Sequence, residues 1–441
     1  MTVVEGRRLR PVVGSVNTSV DALLIGRRLR HSVYNQSGRL LLAEGALITR
    51  EVKARLNVLS NGFVQIDSED AAIATLDNSF GGGAEAFQLD AASMEKLQRF
   101  LGAGATGVQN PRPTVKEGLV FHGREPPSQR RHEELIGEQK AAAKSLDRLM
   151  GEMVQGGRSD GAPIVQLTAT FLGSMREDSE GLLTAALQSQ ESGLSEHGLQ
   201  MGILAMAIGV EMGLNAENVR IIGTTAMVCD WGMMRVPQDI RHASRRLTAE
   251  EYFEIQKHPM YTADMVMSLS EIPRLVPPVA YQVHERPDGT GYPRGREGNS
   301  IHPFARILRV ADVYTSLVSP KPFRGPLTPY SAMEFMIRKA NKQSVDRDAV
   351  RALLNVLTLF PLGSLVQLSD SSVARVLRRN GNRYDSPVVQ VIQDTEGHRV
   401  APDNADAIFV PTERNLEIVE ALPTPGREEL IFEAGMLRPR W

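Results

Sequence analysis

The residues of this chain best suited to chemistry gather around one stretch, Val283-His284-Glu285-Arg286-Pro287-Asp288-Gly289-Thr290-Gly291-Tyr292-Pro293. It sets a His-Glu pair before a turn-rich loop. His197, Cys229-Asp230 and His258 lie upstream, and Asp312 lies downstream. Neutral imidazoles and bridging carboxylates are the groups that hold transition-metal ions, and such ions activate phosphate esters. Asp312 stands in an otherwise apolar run of Ile307, Leu308, Val310 and Val313, where a carboxylate needs a buried partner. His258 also fits a capping histidine before Pro259, and Cys229, beside Ala226 and Val228, also fits a small buried hydrophobe.

Helices must position these groups. Residues 163–355 read as all-helical: Leu199, Ile203, Met206 and Val210 recur at helical spacing, and Thr248 with Glu251 makes a capping box. Thr328-Pro329 opens a further helix with proline at its first position. Residues 131–162 continue the pattern, with Ile136, Ala143, Leu146 and Met150 on one side, which fits a connecting or dimerising helix or a plain surface helix. Residues 20–68 predict a small α+β module, with a hairpin turning at Asn35-Gln36-Ser37-Gly38, a helix capped by Thr49 and a closing strand at Phe63-Val64-Gln65-Ile66. Residues 69–130, rich in glycine and proline, predict a disordered linker. Three strand patterns within residues 362–410 predict a small β module, followed by a tail over 411–441. The fold class is therefore multi-domain and mainly α, with a central all-α bundle between two small modules.

Composition narrows the partners. A formal net charge of −2 gives no general attraction to a nucleic-acid polymer or an anionic membrane. At 5% aromatic residues the chain also lacks the makings of a stacking platform for single strands. Cys229 is the single cysteine, so there is no disulfide framework and a reducing compartment fits. No apolar run approaches the roughly 18 residues of a membrane span. The opening Met1-Thr2-Val3-Val4-Glu5-Gly6-Arg7-Arg8 has no apolar signal segment, so the expectation is a cytoplasmic protein.

In order and spacing, residues 190–350 resemble the HD-GYP domain, a bacterial signalling branch of the HD phosphohydrolases. Cys229-Asp230-Trp231-Gly232-Met233 stands where that family writes His-Asp-Ile-Gly-Lys. Val236-Pro237, Leu247-Thr248 and Lys257-His258-Pro259 follow, then Val283-His284-Glu285 for His-His-Glu, the Asp288–Pro293 loop, and Ala311-Asp312-Val313-Tyr314. The resemblance implies an HD-type helical bundle that hydrolyses cyclic di-GMP to linear pGpG or GMP at a centre of two divalent ions, iron or manganese. It implies metal ligation by His197, Asp230, His258, His284 and Asp312, with Cys229 as a weaker candidate, and places catalysis on Asp230 and His284. Substrate contacts would fall to Asp288, Gly289, Gly291, Tyr292 and Pro293, and to Lys321 and Arg324 in a basic segment. The loop would also meet other signalling proteins, and a homodimer is a further expectation.

Three positions depart from the family pattern in the catalytic shell: Cys229 and Val283 replace histidines and Met233 replaces a lysine, while Gly193 stands where three-metal members carry glutamate. Valine offers no donor, which puts the second ion in doubt. Loss of one charge that stabilises a transition state costs about 100- to 1000-fold in rate. The expectation is a phosphodiesterase of reduced activity. Two alternatives stay open: an inactive module that binds cyclic di-GMP or a protein, and a structural helical scaffold.

Overall fold

The computed structural model describes, with short internal breaks, residues 15–70 and 113–430. Residues 71–112, which hold most of the expected linker, and Arg324 lie outside the described residues.

The helical bundle is built around one element. Helix α4 (Leu194–Glu211) is apolar on all sides, and every residue from Gly198 to Val210 is buried, so it runs through the centre. Helix α5 (Ala216–Val228), capped by the Asn215 side chain, lies close against it. The close approach depends on glycine, because a Cβ at Gly198 would come within 3.2 Å of the Ala226 carbonyl oxygen and of the Met227 Cα. His197 is thereby held beside the C-terminal end of α5.

Helices α2 (Gln129–Val154) and α3 (Ala162–Gln188) pack onto α4. The expected connecting helix is thus a packed part of the bundle. The α2 stripe of Leu135, Ala142, Ala143, Leu146, Leu149 and Met150 is buried in the same core as α4. The expected linker is corrected where it is described. Val115 enters that core, its N–H donating to Leu214 O at 3.1 Å, and Val120 N–H donates to Arg176 O at 3.0 Å. A segment without periodicity is anchored here by one apolar side chain and backbone bonds.

The bundle continues through α6 (Gln238–Arg241), α7 (Ala249–Gln256), α8 (His258–Met267), α9 (Val276–Ala280), α10 (Pro303–Val318), α11 (Pro329–Asn341) and α12 (Arg347–Leu357). Thr248 and Glu251 form the capping box of α7, and Thr328 caps α11. No helix among the described residues is long and apolar enough to cross a membrane.

Each flanking module is an antiparallel sheet. The N-terminal one has strand order β1-β4-β2-β3, from β1 (Ser15–Ser19), β2 (Val33–Tyr34), β3 (Leu40–Leu42) and β4 (Phe63–Asp67), with α1 (Arg50–Ser60) between the last two. Strand β1 begins before residue 20; its polar Ser-Val-Asn-Thr-Ser gives no strand pattern and is recruited by backbone pairing with β4. The C-terminal sheet runs β8-β7-β6-β5-β9, from β5 (Leu365–Leu368), β6 (Val373–Arg378), β7 (Val388–Gln393), β8 (Ile408–Phe409) and β9 (Ile418–Leu422). Strand β9 lies in the expected tail, which is corrected: it pairs with β5, and beyond it Leu430 exchanges backbone bonds with Pro326 and Thr328.

This sheet docks through a buried cation. Arg378, 1% exposed, donates from Nη2 to Asp178 Oδ2 at 2.9 Å and from Nε to the Glu125 carbonyl at 2.9 Å. Asp178 breaks α3 with non-helical φ −150° and ψ 87°, and its Oδ1 accepts from Gly181 N–H at 2.8 Å. Burial alone would raise the Asp178 carboxyl, but the Arg378 guanidinium outweighs it and holds the group below its ordinary range.

Candidate metal centre

Asp230 follows α5 in a turn that is clamped to α8. Gly232 N–H donates to Thr262 Oγ1 at 2.9 Å, and Thr262 Oγ1 donates to the Cys229 carbonyl at 2.8 Å. Only glycine fits there, since a Cβ at Gly232 would meet the His258 carbonyl oxygen at 2.1 Å and Thr262 N at 2.7 Å. The clamp brings the first residue of α8, His258, onto Asp230.

His258 Nδ1 lies 2.7 Å from the Ile255 carbonyl oxygen. A carbonyl only accepts, so this nitrogen carries a proton, and in the neutral ring Nε2 presents its lone pair. That Nε2 is buried, has no hydrogen-bond partner, and lies 3.4 Å from Asp230 Oδ1. His284 Nε2 lies 3.3 Å from the same oxygen. Asp230, His258 and His284 together offer ligand atoms within 4.8 Å of one another. An orphaned imidazole nitrogen facing a carboxylate in a buried site fits a cation, and two imidazoles with one carboxylate suit a divalent transition metal. Burial would raise the Asp230 carboxyl, but His258 and His284 outweigh it and hold it well below the carboxylate range. Burial lowers the His284 imidazole, only partly offset by Asp230, which favours its neutral form.

Asp312, on α10, is brought to the same region but is already engaged. Its Oδ1 lies 3.2 Å from His197 Nε2, and its Oδ2 accepts from Arg309 Nη1 at 2.9 Å. Burial opposes ionisation of Asp312, yet His197 and the Arg309 charge prevail and depress it. His197 Nε2 is also 4.0 Å from Asp230 Oδ2. Arg309 escaped the sequence reading. The available signal was its i, i+3 spacing to Asp312 on one helix face, which identifies the buried partner that Asp312 requires.

Cys229 is not gathered in. Its thiol donates to the Ala226 carbonyl at 3.3 Å and lies 3.9 Å from Met201 Sδ. Burial, with the nearby Asp230 and Asp312 charges, pushes the thiol well above its ordinary value. The structure does not bring the Cys229 thiol into the group formed by Asp230, His258 and His284. Val283 is fully buried in the core.

The Asp288–Pro293 loop folds back over the centre. Asp288 Oδ1 accepts from Thr290 N–H at 2.9 Å, closing a turn in which Gly289 has φ +72°. A Cβ at Gly291 would lie 2.3 Å from Arg286 N, so the chain there rests directly on the His-Glu segment. Glu285, buried, accepts from Arg294 N–H at 2.8 Å and Arg296 N–H at 2.9 Å and pins the loop's far side. The outcome is that the Tyr292 ring stacks on His284, with centroids 5.1 Å apart and planes 10° from parallel. Pro293 is buried behind it. Asp288, Gly289 and Gly291 thus shape the loop, while Tyr292 reaches the site.

Positive charge collects on one side. The Arg286 guanidinium is lowered by burial and then by Arg309, and the Lys339 ammonium by burial and then by Arg286. Depression by a neighbouring cation marks positive charges close together. Lys321 follows α10, half-buried, at the edge of the described segment.

Residues 181–349 match the HD domain family. A cyclic di-GMP phosphodiesterase of Pseudomonas aeruginosa is 29% identical over 261 residues, 58% of this chain and 61% of that protein. A 3'3'-cGAMP-specific phosphodiesterase of Vibrio cholerae is 35% identical over 144 residues, 32% of each chain. This chain spans less than two thirds of the length of either relative. A solved structure of an HDG"Y"P protein from Bdellovibrio bacteriovorus aligns with 78% of this chain and 99% of its own, at 14% identity and a TM-score of 0.40.

Proposed function

Residues 181–349 of this chain are an HD-GYP-like domain of the HD family, and from that premise we propose that the protein hydrolyses a cyclic dinucleotide, cyclic di-GMP, to linear pGpG or GMP in the cytoplasm. One observation carries the reading: His258 Nε2, buried and without a hydrogen-bond partner, and the carboxylate of Asp230 face each other 3.4 Å apart.

Asp230, His258 and His284 would hold the ion, iron or manganese. When bound, such an ion supplies Lewis acidity toward a phosphoryl oxygen and an activated water. The chain's own residues do the rest. Arg286, Arg309 and Lys339 provide positive potential for a phosphodiester, and Lys321 with Arg324 would extend it. Tyr292 packs over the His284 ring and limits the water that reaches it. Asp288, Gly289, Gly291 and Pro293 hold that ring in place. Neither Val283 nor Met233 can donate to a metal as histidine does or neutralise phosphate as lysine does, which supports a slow enzyme.

The test is incubation of the metal-reconstituted full-length protein with cyclic di-GMP under anaerobic conditions, with products resolved by chromatography. Linear dinucleotide or GMP should form with the native protein and be absent with Asp230→Ala. Absence of product while metal is bound contradicts the reading. Cyclic di-GMP affinity that Asp230→Ala leaves unchanged would then identify a binding module.

A further inference from the structure

We propose that Arg309 supplies, from within the chain, the positive charge that a second ion would carry, so that this centre holds a single metal. The inference rests on the metal reading of Asp230, His258 and His284 above.

Three observations lead there. First, the converging trio excludes Asp312: only Asp230, His258 and His284 bring ligand atoms within 4.8 Å of one another among the described residues. Second, Asp312, the carboxylate best placed to hold another ion with His197, is paired with Arg309 at 2.9 Å, and both side chains are at least 85% buried. A divalent ion placed there would meet a guanidinium already bonded to its principal ligand, in a largely buried site where the repulsion is weakly screened. Third, Arg309 Nη1 lies 3.4 Å from His284 Nδ1. The guanidinium thus stands against the back of a candidate ligand while bonded to Asp312, and it supplies positive charge to the centre from within the chain. The buried Arg309 Nε has no hydrogen-bond partner, which leaves it a spare donor beside the centre.

Removing the guanidinium should free Asp312 to close with His197 and the second oxygen of Asp230 on a second ion, giving three protein ligands, a number sufficient for a catalytic ion. The experiment uses full-length protein stripped by chelator, reloaded anaerobically with manganese and freed of excess by gel filtration, with metal per chain measured by mass spectrometry. Native protein and Arg309→Lys should retain one equivalent, and Arg309→Met should retain two, with the paramagnetic resonance signal of a coupled manganese pair. Two equivalents on native protein, or one on a folded Arg309→Met, overturns this inference and leaves the metal reading intact. No metal on the native protein overturns both.

Discussion

His258 Nε2 and Asp230 Oδ1 stand 3.4 Å apart without a hydrogen bond between them, while the Ile255 carbonyl holds a proton on the far nitrogen of the ring. A neutral imidazole in that tautomer turns its lone pair onto a carboxylate. The arrangement is stable when a cation sits between the two groups.

His258→Gln therefore loses metal. Gln has no imidazole lone pair to offer, and removal of a direct ligand should exceed the 10- to 100-fold loss typical of changes to residues behind the ligands. Calorimetric titration of the stripped protein with manganese checks this; an unchanged affinity would show that His258 is not a ligand.

Cys229→Ala behaves oppositely. Metal content should stay the same, and stability should fall by about 1 kcal/mol for the loss of one small buried group. In native protein the thiol should stay unreactive toward a disulfide reagent whether metal is present or stripped, and should react on unfolding. Reactivity unmasked by chelation alone would return Cys229 to the ligand set.

Arg378→Met tests the joint between the β sheet and the bundle. Breaking a buried pair leaves Asp178 uncompensated at the α3 kink, with an expected loss on the order of 3 kcal/mol in chemical denaturation. A change below about 0.5 kcal/mol, the scale of an ordinary surface substitution, would mean the pair contributes nothing net.

His302 gives a pH dependence away from the metal centre. It caps α10, Nδ1 accepting from Phe304 N–H at 3.1 Å, and burial followed by the Arg306 charge pushes it from 6.5 down to about 4. The unfolded chain thus takes up the proton first. The contribution is complete above pH about 6.5 and is lost as pH falls toward 4, by up to about 3 kcal/mol. His302→Asn keeps a capping side chain and should flatten that part of the stability profile. An unaltered profile would assign the acid sensitivity elsewhere.

The chemistry was legible in the sequence where residue types are scarce and ordered. The pattern of Asp230, His258 and His284 with a glycine-rich loop needs no knowledge of packing, and the structure brings the three together. Arg309 was hidden because arginine on a helix usually faces water; only the burial of Asp312 shows why it turns inward. Proximity of Cys229 to Asp230 in sequence says nothing about the direction of its side chain, which at the end of α5 turns to Ala226 and Met201. The packing of Val115 and the pairing of β9 with β5 were illegible for another reason: both depend on distant backbone groups, and neither leaves a local period. Likewise, Tyr292 reads as part of a turn until the fold lays it on His284.

The most direct test of the account is turnover measured against metal occupancy. Protein stripped of metal and reloaded in steps with manganese is given cyclic di-GMP, and linear product is plotted against bound ion per chain. Product should be absent without metal and rise in proportion until about one equivalent is bound, the number of ions three converging ligands can hold. Cleavage indifferent to metal, or none at full occupancy, would contradict the claim that Asp230, His258 and His284 form a working hydrolytic centre.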